Sequence, residues 1–82
     1  MTLGQYIVRF CDIKGITLKQ FTRGCKYSDP YTDLSKRKYV TIKYYFAMAE
    51  YMAKISGLPE QFYLKRLKDT MQGKLTCRDL SL

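Results

Sequence analysis

The sequence predicts an all-α fold, a compact bundle of about five helices, and three observations carry that prediction. Apolar residues recur at helical rather than alternating spacing through most of the chain. A Thr followed three positions later by Gln occurs twice, in TLGQ and TLKQ, the pattern of a reciprocal cap at a helix start. Glycines stand where the periodic segments end, at Gly15, Gly57 and Gly73.

Thr2 and Gln5 open the first helix, in which Leu3, Tyr6, Ile7, Phe10 and Cys11 share one face up to about Lys14. Thr17 and Gln20 open the second, with Ile16 placed to clamp on Phe21, and it ends near Gly24 or Cys25. Ser28 is the next cap. Asp29 suits the positive end of a helix and Pro30 suits its opening turn, where the missing N–H would be unpaired anyway, so a third short helix is expected from about Asp29 to Lys36.

Thr41 caps the fourth helix, IKYYFAMAEYMAKIS. Its expected inward stripe is Ile42, Tyr45, Phe46, Ala49, Met52 and Ala53, with Lys43, Tyr44, Glu50 and Lys54 outward. Pro59 opens the fifth, PEQFYLKRLKDTMQ, with Phe62, Leu67 and Met71 on one side and Gly73 as its stop. The second and third helices are too short for a regular up-down bundle, which favours an orthogonal arrangement with a helix-turn-helix core. One domain is expected over residues 1–72, followed by a tail, 73–82, that carries Leu75, Leu80 and Leu82.

Fifteen Lys and Arg against seven Asp and Glu give a formal charge of +8, which favours polyanionic partners: nucleic acid, anionic lipid or an acidic protein. The three cysteines, Cys11, Cys25 and Cys77, form no CxxC pair, and the chain has no histidine, which excludes a Cys/His metal site. Cys11 and Cys25 are expected to behave as small buried apolar groups in a reducing cytoplasm. The apolar run Tyr44 to Ala49 is far short of a membrane span, and no charged-then-apolar leader is present, so a soluble, unprocessed protein is expected. Without His there is no ordinary general base near neutral pH. The seven carboxylates show no paired spacing and no glycine-rich phosphate loop occurs, so neither catalysis nor a cofactor is expected.

The stretch GITLKQFTRGCKYSDPYTDLSKRK, behind its capped first helix, resembles the helix-turn-helix domain of the lambda-repressor and Cro-like family of small phage regulators. The resemblance covers residues 1 to about 63. Gly15, Ile16 and Thr17 match the family's entry into its second helix. Phe21 and Cys25 take the places of buried apolar residues, Tyr27 that of the apolar turn residue, and Ser28 that of the cap of the recognition helix. Tyr31 and Leu34 fall at core-facing positions of that helix, and Ile42 to Ala53 form the long helix that covers the motif. The chain differs from the family pattern in four places. Leu18 stands where a phosphate-binding Gln is frequent, Thr22 where Ala is common, Lys26 near the expected turn glycine, and Ser35, Lys36 and Arg37 where an acid and a glycine usually close the helix.

The resemblance implies a sequence-specific, homodimeric transcription regulator of phage or mobile-element type, acting on double-stranded DNA, often as a repressor. The helix from about Ser28 to Lys36 would enter the major groove, with Asp29, Tyr31, Thr32, Asp33, Ser35 and Lys36 facing base edges. Thr17 and Ser28 would hold phosphates at helix starts, and Lys19, Lys26, Arg37, Lys38 and Lys43 would supply charge. Two other readings stay open. Leu18 and the acids Asp29 and Asp33 favour a module of the same fold that binds a protein, as a small inhibitor or adaptor of nucleic-acid machinery. Tyr39, Tyr44, Tyr45, Tyr51 and Tyr63 offer such a module a recognition surface. A peripheral membrane binder is the third, against which the basic residues are spread over several helices.

Overall fold

The helix starts follow from the capping residues. In the computed structural model, which describes residues 1–26 and 34–73, α1 spans Leu3–Lys14. The Gln5 amide donates to Thr2 Oγ1 at 3.2 Å and the Thr2 amide donates to Gln5 Oε1 at 2.9 Å, so both members of the box are satisfied. Gly15 ends α1 at φ 69°, a left-handed conformation that costs glycine nothing. The device repeats at α2, Leu18–Gly24, where the Gln20 amide donates to Thr17 Oγ1 at 3.1 Å and the Thr17 amide to Gln20 Oε1 at 2.9 Å. α3 spans Ile42–Ser56, with the Tyr44 amide donating to Thr41 Oγ1, and α4 spans Glu60–Met71 behind Pro59.

Four α-helices and no strand are found among the described residues. The expected count was five. Of the third expected helix, Leu34–Lys36 forms a single 3-10 turn, while residues 27–33 lie outside the described part of the chain. The leucine-bearing tail from residue 74 onward lies outside it as well. The Cα radius of gyration, 11.4 Å, is close to the ~11.7 Å expected for a folded chain of this length, so the helices form one globule. No helix among the described residues is long and apolar enough to cross a membrane.

The core is built around an aromatic chain that touches all four helices. Phe10 of α1 meets Tyr63 of α4 edge-on at 5.7 Å and Phe21 of α2 at 6.1 Å, and Phe21 meets Tyr51 of α3 at 5.4 Å. The five predicted inward residues of α1 are all buried, as are Phe21, Cys25 and Leu34. α3 packs along α4, and the Tyr45 hydroxyl donates to the Leu64 carbonyl across that seam.

Two helix faces depart from expectation. In α3 the buried residues are Tyr44, Met48, Ala49 and Met52, whereas Ile42 is 76% and Phe46 49% exposed. The helix is apolar nearly all round through its first turns, so periodicity leaves its rotation open and packing against α4, with Tyr51 against Phe21 of α2, decides it. In α4, Tyr63, Leu67 and Thr70 are buried, while Phe62 and Met71 are only half-buried. Arg66 lies over the Phe62 ring at 5.1 Å, which covers that ring at the surface. The tyrosine recognition surface is thereby lost: Tyr44 and Tyr63 are in the core, Tyr45 and Tyr51 are half-buried, and only Tyr39 of the five is exposed.

Candidate nucleic-acid interface

The cations expected to face DNA stand on four different parts of the fold. Thr17 and Lys19 lie exposed at the start of α2. The Thr17 hydroxyl is engaged by the Gln20 amide of its own helix. Ser28, Asp29, Tyr31 and Thr32 fall outside the described residues, as does Asp33. Ser35, Lys36, Arg37 and Lys38 form the basic exit from the 3-10 turn, with Lys36 and Lys38 exposed and Ser35 and Arg37 half-buried. Lys43 is exposed in the first turn of α3.

That exit is held by α1. The Gly4 amide donates to the Arg37 carbonyl at 2.8 Å, and the bare Cα of Gly4 faces the carbonyls of Leu34 and Ser35. Leu34 is inserted into the core and the Arg37 amide donates back to its carbonyl at 3.2 Å. The segment therefore leaves the core at a defined place. Beyond it, Lys38 and Tyr39 line a groove of about 350 Å³ with Met1, Thr2, the last residues of α4, Thr70 and Met71, and Gln72 and Gly73 just past it.

Lys26 belongs to a different cleft. It follows the end of α2 with φ 56°, the left-handed region that a side chain with a Cβ enters at a cost. With Arg23, Gly24 and Cys25 it faces Ala47, Glu50, Tyr51 and Lys54 of α3 across a cleft of about 400 Å³. Arg23 and Lys54 were not among the expected binding residues. Their partnership depends on how α2 leans on α3, and no local pattern carries that information.

Beneath this cleft the chemistry is apolar. Burial pushes the Cys25 thiol up to about 12, with Cys11 adding to the shift, and burial beside Asp12 pushes Cys11 up to about 11. Both are protonated at neutral pH and behave as small hydrophobes rather than nucleophiles. Burial, with Cys25 and Cys11 nearby, also raises the Tyr51 phenol, so its hydroxyl remains a neutral donor. Among the described residues no group of three or more Cys, Asp or Glu is placed to hold a metal ion. Comparison with protein-family models, with curated proteins and with solved structures returns no match.

Proposed function

We propose that this chain is a DNA-binding transcription regulator of phage or mobile-element type. It reads the major groove as a homodimer, through the segment from about Ser28 to Lys36, and works in a reducing cytoplasm. One observation carries the reading. A Thr-capped helix of seven residues buries Phe21, its C-cap Cys25 is buried too, and Lys26 follows in the left-handed conformation, near the place where repressor-like motifs put their turn glycine. The net charge of +8, the exposed Lys36, Lys38 and Lys43, and the two buried free thiols support it further. The test is selection from a random-sequence duplex library. A recovered palindrome bound by a dimer supports the proposal, and the absence of any enriched sequence overturns it.

A second reading has its own observation. Ile42 and Phe46 form an exposed apolar pair one helical turn apart, which favours a protein-contacting face on α3. As an inhibitor or adaptor of nucleic-acid machinery, the chain would lose partner binding on Ile42→Ser/Phe46→Ser and be indifferent to DNA sequence. As a DNA regulator that uses this face to dimerise, the same variant would be monomeric.

A further inference from the structure

Arg23 stands in the last turn of α2, Lys26 just past it, and Lys54 in the last turn of α3. Cations are stabilised at helix C-termini whatever else they do, so their presence alone means little. Their convergence means more, because all three line one concave space of about 400 Å³ in which Glu50 is the opposing acid. That volume falls within the ~300–1,000 Å³ range of small-ligand sites.

The walls of the cleft are set by a close approach. A Cβ at Gly24 would fall 2.1 Å from Tyr51 Cε1, so the tyrosine ring lies directly on bare α2 backbone. That ring also meets Phe21 edge-on at 5.4 Å. Lys26 reaches its place through a backbone conformation that costs ~1–2 kcal/mol in a residue with a Cβ, a constraint of the kind that accumulates at binding sites.

The geometry points to a phosphate site in this cleft, in which Arg23, Lys26 and Lys54 bind the oxyanion and Tyr51 forms the floor. A phosphate group presents several acceptor oxygens, which suits an Arg fork supplemented by two ammonium groups, and three cations outweigh Glu50. The phosphate comes either from a nucleic-acid backbone or from a free phosphorylated small molecule. The site does not depend on which residues read bases, so failure to recover an operator leaves it standing.

The test follows the amide resonances of the full chain during two titrations at matched ionic strength, one with inorganic pyrophosphate and one with a short duplex of arbitrary sequence. Saturable shifts at Arg23 to Lys26 and at Lys54 are expected. Arg23→Gln/Lys54→Gln weakens pyrophosphate binding by about tenfold or more, since two charge-assisted hydrogen-bond donors are removed, and Glu50→Gln strengthens it. If the source is nucleic acid, the double variant also reduces the slope of log affinity against log salt for the duplex by about 0.9, the value for the one phosphate the cleft holds. Loss in the pyrophosphate arm alone assigns a free phosphorylated ligand. The proposal is overturned if neither probe shifts these amides, or if a folded double variant binds both probes as tightly as the parent chain.

Discussion

The amide of Gly4 donates to the carbonyl of Arg37 at 2.8 Å, and the absence of a side chain at Gly4 permits that approach. A Cβ there would fall 2.3 Å from the Ser35 carbonyl oxygen and 2.5 Å from that of Leu34. Both obstacles are main chain, so no rotamer change relieves the clash. Helix propensity alone favours Ala over Gly by ~0.8–1.0 kcal/mol, whereas overpacking costs ~1–3 kcal/mol or more. Gly4→Ala is therefore expected to lower stability by about 1–2 kcal/mol in urea denaturation. A gain in stability would mean that the basic exit does not rest on α1.

Tyr63 and Tyr6 are buried in the core with hydroxyls that have no hydrogen-bond partner among the described residues. Burial, and then the neighbouring Tyr63, raise the Tyr6 phenol well above its ordinary range, with Arg66 opposing. An unsatisfied buried hydroxyl costs ~1–3 kcal/mol, so Tyr63→Phe should be neutral or stabilising by about 1 kcal/mol. Thermal denaturation measures this directly. A clear loss of stability would show that the hydroxyl is satisfied.

The thiols set an alkaline limit. Cys25 is pushed up to about 12 and Cys11 to about 11 from an ordinary value of 9.0, so the unfolded chain releases these protons first as pH rises. Their contribution is fully present below pH 9 and is lost progressively between pH 9 and their folded values. Stability measured from pH 7 to 11 should fall above pH 9, and less steeply in Cys25→Ala. An identical slope in that variant would mean that Cys25 is not buried as a thiol.

Lys26 holds a left-handed conformation at φ 56°. Relief of ~1–2 kcal/mol of local strain, less the ~0.5–1 kcal/mol that glycine adds to unfolded-chain freedom, predicts that Lys26→Gly stabilises the protein by about 0.5–1 kcal/mol. Chemical denaturation that finds Lys26→Gly less stable than Lys26→Ala would contradict this backbone conformation.

The helix starts and stops were legible because they are local. A Thr and a Gln three positions apart settle a cap within one turn, and Gly15 and Gly57 settle the ends of α1 and α3 by positive φ. The face of α3 was not legible, because Ile42, Tyr44, Tyr45, Phe46 and Met48 are all apolar enough to be core and only the neighbouring helices select Tyr44 and Met48. Tyr63 misled for a related reason: a tyrosine reads as amphipathic in sequence, yet here Phe10 and Phe62 enclose it. Of the candidate sites, the basic exit around Lys36 to Lys38 was visible as a charge cluster. The Arg23–Lys26–Lys54 cleft was not, since it exists only once α2 and α3 pack.

The DNA reading is tested most directly by the salt dependence of binding to the best duplex recovered by selection. The comparison is between the parent chain and Lys36→Gln/Lys38→Gln/Lys43→Gln, chosen because all three side chains are exposed on the segment from the 3-10 turn into α3. If these lysines neutralise phosphates, the slope of log affinity against log salt falls by about 2.7, at ~0.9 for each phosphate no longer neutralised. An unchanged slope and affinity in a folded triple variant would place DNA elsewhere on the molecule and remove the regulator proposed here.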